Sequence, residues 1–158
     1  MKILATDQST KATGWAFYDG EKLAAHGLIL AKKEENDVMR RIGFMCDEIE
    51  SLVEKYKPDL CCIEQTQSQG NELVFRTLSM LVGSLSFMMY RRGLPYIIVY
   101  PKTWKAAFGV KGRKRAEQKA NTIQIVRDHY GIEVSEDEAD AIGLLNYAIK
   151  ENTDGQKE

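Results

Sequence analysis

Only three cysteines and two histidines occur in the 158 residues, and the shortage narrows the available chemistry. Cys61 and Cys62 are neighbours in an apolar run that reads as a buried strand, so their side chains leave opposite faces. They form neither a disulfide framework nor a metal pair, which leaves buried structural thiols. His26 falls in a strand and His129 at a helix end, away from the acidic motifs in sequence, and both read as structural or surface groups. The formal net charge of -1 gives no whole-molecule attraction to a polyanion. No cleavable signal and no membrane-spanning apolar run is expected, which points to a reducing cytoplasm and to no membrane partner. Repeats, low-complexity tracts and interdomain linkers are lacking too. Residues 1–150 therefore read as a single domain, and residues 151–158 as a polar, frayed C-terminal tail.

What is present is an ordinary globular composition, 44% hydrophobic and 28% charged, with its charges segregated. Between residues 102 and 119 lie Lys102, Lys105, Lys111, Arg113, Lys114, Arg115 and Lys119, against the single acid Glu117. Acids gather instead at Glu34-Glu35 and from Glu133 to Asp140. Such segregation suits a chain that grips phosphates with one segment and metal ions with another. Gly109 and Gly112 mark a flexible, basic, phosphate-contacting loop.

The pattern along the chain is mixed α/β. A strand ending at Asp7 is followed by strands over residues 13–18 and 22–30, joined through an Asp19-Gly20 hairpin turn. A helix capped near Asn36 or Asp37 keeps Val38, Ile42, Met45, Ile49, Leu52, Val53 and Tyr56 at helical spacing, and Lys57-Pro58 stops it. The strand ending at Glu64 comes next. The helix over residues 71–92 is apolar on more than one side, with Ser79, Gly83, Ser84 and Ser86 interleaved, so one side is expected on the sheet and the small-residue side on a second subunit. A strand at 96–99, a helical turn from Pro101, a helix over 114–130 and a helix opening at Ser135 complete the order.

Four carboxylates carry the chemistry: Asp7, Glu64, Asp137 and Asp140. Asp7 and Glu64 each close a short apolar strand, the way a sheet delivers a charge to its rim. Asp137 has a structural explanation, since Ser135 and Glu138 form a capping box around it. Asp140 does not. Ala139, Ala141 and Leu144 put it on the apolar face of its helix, where an unpaired carboxylate is costly. Asp137, three residues earlier, shares that face. A pocket of these acids shares protons or binds a hard cation, and oxygen donors without His or Cys favour Mg2+, with Mn2+ as a substitute. Two such ions about 4 Å apart would activate water and neutralise the leaving oxygen in phosphodiester hydrolysis.

The same residues resemble a known family. The segment Ile3-Leu4-Ala5-Thr6-Asp7-Gln8-Ser9-Thr10, running on to Thr13-Gly14-Trp15-Ala16, resembles the opening of the RuvC-like Holliday junction resolvases. Cys62-Ile63-Glu64-Gln65 resembles the family's second acidic motif, and Asp137-Glu138-Ala139-Asp140-Ala141 its closing D-x-x-D-A. The resemblance implies an RNase H-like fold, a mixed five-stranded sheet flanked by helices with its first three strands antiparallel. It implies a homodimer that nicks paired strands of four-way junctions and other branched DNA, with Asp7, Glu64, Asp137 and Asp140 as catalytic metal ligands. Lys119 and one of Lys102 or Lys105 would then contact phosphates near the cut. One departure is the stretch Gln65-Thr66-Gln67-Ser68-Gln69, where bacterial members place an aromatic soon after the glutamate. Together with the basic stretch Lys111-Gly112-Arg113-Lys114-Arg115, this points to the phage and viral branch, with broader branch recognition and work in a host cytoplasm.

Rival readings come from neighbouring classes. Asp7-Gln8-Ser9-Thr10 also resembles the first phosphate loop of sugar kinases in the actin-like ATPase superfamily, but no second phosphate loop follows. A YqgF-like or RNase H-like nuclease would act on RNA, and a protective binder would hold branched DNA without cutting it.

Overall fold

Side-chain alternation on the central strands decides how the layers stack in the computed structural model, which describes residues 1–68 and 70–154. The elements run β1 (Ile3–Asp7), β2 (Ala12–Tyr18), β3 (Leu23–Leu30), α1 (Val38–Tyr56), β4 (Leu60–Glu64), α2 (Glu72–Arg91), β5 (Tyr96–Val99), α3 (Pro101–Phe108), α4 (Arg115–Tyr130) and α5 (Glu136–Asp154). The sheet order is β3-β2-β1-β4-β5. The first three strands pair antiparallel, and β1, β4 and β5 run parallel, giving the mixed sheet that the sequence implies.

Because neighbouring residues point to opposite faces, each central strand feeds two cores. Leu4, Cys61 and Ile63 pack with Ile42, Met45 and Ile49 of α1 and Leu81 and Leu85 of α2. Ile3, Ala5 and Cys62 pack on the other side with Trp104 of α3, Val126 of α4 and Ile142, Leu144 and Leu145 of α5. The adjacent thiols thus lie in different cores, all three cysteines are free, and burial pushes the Cys61 thiol up to about 12. Both read as structural groups.

Local chemistry sets the helix ends. Asp37 caps α1 by accepting the Arg40 amide at 3.0 Å, and Lys57 ends it in a left-handed conformation, φ 48°, ahead of Pro58. Asn71 caps α2 through the Val74 amide at 3.1 Å. Ser135 and Glu138 close the expected box at the start of α5, amide to Oγ at 3.3 Å and amide to Oε2 at 3.0 Å.

Three features depart from the sequence reading. The polar tail does not begin at residue 151: α5 continues to Asp154, where Asn152 and Thr153 donate back to the carbonyls of Ala148 and Ile149. Gln69 and residues 155–158 lie outside the described residues. Contrary to the expectation of no membrane-length apolar run, α2 is long and apolar enough to qualify, with a mean hydropathy of 1.4. Its inner face packs on the sheet and α1, and one such helix is by itself weak evidence of a membrane span. The exposed face carries Leu73, Met80, Phe87 and Tyr90, of which Leu73 is 64% and Tyr90 73% exposed. Gly83 lies between them, whereas Ser79, Ser84 and Ser86 are half-covered.

Candidate active site

Strand register brings the first two carboxylates together. Thr6 pairs with Ile63 across the parallel β1–β4 ladder, so Asp7 and Glu64 leave neighbouring strands at the same end. By alternation both point to the face covered by α3, α4 and α5. Gln8 ties the strand ends, its Nε2 donating to the Glu64 carbonyl at 2.6 Å and its Oε1 accepting from Thr6 Oγ1 at 3.2 Å.

The other two acids arrive on α5, and a glycine lets them in. Gly14 of β2 is the antiparallel partner of Asp7. A Cβ built on Gly14 would land on the Asp137 carbonyl, far inside van der Waals contact. With hydrogen there instead, the first turn of α5 rests directly on the sheet beside Asp7. Asp140 follows one turn later at 7% exposure, between the buried Ala139 and Ala141. Asp7, Glu64, Asp137 and Asp140 thus line one cleft of about 840 Å³, together with Lys102, Lys105, Arg115 and Lys119.

The electrostatics of this cleft are strained in the way clustered acids require. Burial raises the Asp7 pKa well above the usual carboxylate range, and the charges of Glu64, Asp140 and Asp137 raise it further. Burial also raises Glu64, against the opposing hydrogen bond from Trp104. The two carboxyls also act on each other: contact with Glu64 raises the Asp7 pKa further, and contact with Asp7 opposes the rise at Glu64. Asp140 is raised by burial while Lys105 and Lys119 pull it back.

These residues fit a hard divalent cation by their chemistry. The cleft offers carboxylate oxygens alone as charged donors, and Asp140 Oδ1 is buried without a hydrogen-bond partner. An orphaned carboxylate oxygen facing other acids is what a cation satisfies. Among the described residues, no three His, Cys, Asp or Glu side chains are gathered as tightly as a bound ion requires.

The basic segment divides. Lys102, Lys105, Arg115 and Lys119 line the cleft, whereas Lys111, Arg113 and Lys114 are exposed and do not. Lys119 Nζ pairs with Glu136 Oε2 at 2.6 Å; burial works against its charge, yet Glu136, Asp140 and Asp137 together raise its pKa. The loop read as flexible is pinned to α4 instead. The Lys111 amide donates to Asn121 Oδ1 at 2.7 Å, and the Arg113 and Lys114 amides to Glu117 Oε2 at 2.9 and 3.2 Å.

Three participants were not visible in the sequence. Trp104, fully buried, donates its indole N–H to Glu64 Oε2 at 2.6 Å. His26 Nδ1 lies 2.9 Å from Glu138 Oε1, tying β3 to the first turn of α5. Burial opposes the Glu138 charge, but the Ser135 hydroxyl and amide and His26 outweigh it and hold its pKa low. Glu138 is therefore committed to the cap and to His26 and does not line the cleft. The third is Phe75, which with Val74 and Leu78 brings an apolar wall of α2 to the cleft that Gln65, Thr66 and Gln67 also line.

Residues 3–149 match the family model described as crossover junction endodeoxyribonuclease RuvC. The chain belongs to this family. The RuvC of Rickettsia rickettsii (strain Sheila Smith) is 26% identical over 149 residues, which cover 91% of this chain and 94% of that protein. The RuvC of Rickettsia africae (strain ESF-5) is 24% identical over 148 residues with the same coverage, 91% and 94%. Among solved structures, Thermus thermophilus RuvC in complex with a Holliday junction substrate superposes with a TM-score of 0.74 at 14% identity, covering 91% of this chain and 90% of that one. The fowlpox virus resolvase in complex with Holliday junction DNA superposes with a TM-score of 0.62 at 18% identity, covering 95% and 98%. This RuvC-family chain therefore has the RNase H-like resolvase fold.

Proposed function

We propose that this chain is a structure-specific endodeoxyribonuclease that resolves Holliday junctions and other branched DNA by metal-dependent phosphodiester hydrolysis. The observation that carries the reading is the single cleft in which Asp7, Glu64, Asp137 and Asp140 face Lys102, Lys105, Arg115 and Lys119. It gives a family of DNA endonucleases the residues such chemistry needs. Asp7, Glu64, Asp137 and Asp140 hold Mg2+, two ions per site, with Mn2+ able to substitute. When bound, these ions would supply an activated water and charge neutralisation at the leaving oxygen.

The remaining roles belong to the chain's own groups. Lys105 and Lys119, whose charges already act on Asp140, keep the acids from repelling an incoming phosphate. Lys102 and Arg115 extend positive charge along the cleft, and Lys111, Arg113 and Lys114 continue it over the exposed surface beyond. The apolar wall from α2 shields one side from water.

The exposed stripe of α2 supports a homodimer. Met80, Gly83, Phe87 and Tyr90 recur at steps of three, four and three residues, with Leu73 seven residues before Met80, the spacing of a helix seam that meets a partner helix. A second copy placed there would carry a second cleft, as paired nicking requires. Three free thiols, with Cys61 and Cys62 buried, suit work in the cytoplasm.

A substrate panel tests the reading. A labelled four-way junction should be cut in preference to linear duplex and to an RNA–DNA hybrid. Cutting confined to the hybrid would assign an RNase H-like activity, and tight junction binding without cutting would assign a protective binder.

A further inference from the structure

A fully buried residue outside the acidic set donates a hydrogen bond to one of the cleft's acids. Trp104 is 0% exposed, so its one polar atom must find a partner inside the protein. That partner is Glu64 Oε2, at 2.6 Å. A donor facing one carboxylate oxygen fixes which way the group rotates.

The fold secures this contact from several directions. β5 pairs with β4 so that Glu64 lies opposite Val99. Pro101 starts α3 immediately beyond, turning the chain back over the end of β4, and Trp104 falls on the first turn. On the far side α5 makes room for the indole. A Cβ on Gly143 would stand 2.5 Å from Trp104 Cζ3 and 2.9 Å from Cε3. Lys105 Nζ lies 5.5 Å from the ring centroid, over the ring. A side chain needed only to fill volume would not require an N–H directed at a carboxylate.

We infer that Trp104 is a positioning residue: its indole N–H sets the orientation of the Glu64 carboxylate for cation binding and strand cleavage. The inference rests on the proposed role of Glu64. Trp104 touches neither substrate nor cation; it acts through Glu64, as outer-shell donors do at metal sites.

The test uses the full-length protein and two replacements. Trp104→Phe removes the donor and keeps a ring. Incorporating β-(3-benzothienyl)alanine at position 104 keeps the bicyclic shape and replaces N–H by sulfur, so it decides the matter if Trp104→Phe does not fold. Mn2+ binding, read directly from the electron paramagnetic resonance signal of the free ion, should weaken about 10-fold. Junction nicking should show a similar fall in kcat with KM for DNA unchanged, and the isostere should melt like the parent. An isostere that binds Mn2+ and nicks like the parent, while Glu64→Gln does neither, overturns the inference alone. Glu64→Gln that still binds and nicks overturns the reading of Glu64, and the inference with it.

Discussion

Gly14 and Asp137 touch through their backbones: no side chain at residue 14 could coexist with the Asp137 carbonyl where it now lies. Since Gly14 also pairs with Asp7, this one contact sets the spacing between the sheet's acid and those of α5. Gly14→Ala must push the first turn of α5 outward. We expect a loss of about 1–3 kcal/mol in stability and about a 100-fold slower single-turnover nicking rate. Thermal melting and rapid-quench kinetics check both, and parental values would show that the contact does not set the site.

Asp7→Asn separates chemistry from fold. Nicking should disappear while junction affinity is kept. The pH dependence of stability has a defined sign. The Asp7 pKa is raised by folding, so its contribution is fully present below the unfolded carboxylate pKa of about 3.9 and is lost as pH rises through the folded value. At pH 7 without divalent cation, Asp7→Asn should therefore melt a few degrees above the parent. The gain should vanish below about pH 4. A variant less stable than the parent at pH 7 would mark Asp7 as a structural acid.

Lys119 lies on the cleft and Lys114 does not, though both belong to one basic run. Lys119→Ala should weaken junction binding and reduce the salt slope of log K by about 1. It should also slow nicking at saturating DNA, which Lys114→Ala should leave unchanged. Fluorescence anisotropy across a salt series, with parallel nicking rates, separates the two.

The α2 stripe makes its own prediction. Phe87 is 62% exposed, so a charge there harms the fold little. Phe87→Glu should give a folded monomer by sedimentation velocity at micromolar concentration, and its nicks should fall on single strands rather than in pairs. A parent protein that sediments as a monomer would remove the interface.

The sequence made the rim acids legible because an apolar strand that stops on one carboxylate has few other uses, and Asp140 because alanines flank it. Asp137 had a capping explanation that stayed valid: Ser135 and Glu138 do form the box, and Asp137 still lines the cleft. Contacts made by folding were not legible. Trp104 meets Glu64 across 40 residues and His26 meets Glu138 across 112. No periodicity encodes such meetings. Composition marked α2 as apolar all round, but only packing shows that Leu81 and Leu85 face the core while Leu73 and Phe87 do not. Residues 151–154 looked like tail because their side chains are polar; two of them use that polarity to bond the preceding turn.

The central claim is that the four carboxylates form one cation-dependent nuclease centre. Its most direct measurement is cleavage of an end-labelled four-way junction by the parent and by Asp7→Asn, with Mg2+ and with a chelator. The account predicts paired nicks near the branch point from the parent with Mg2+ alone, and none from Asp7→Asn despite equal binding. Nicks that persist in chelator, or in Asp7→Asn with Mg2+, would contradict it.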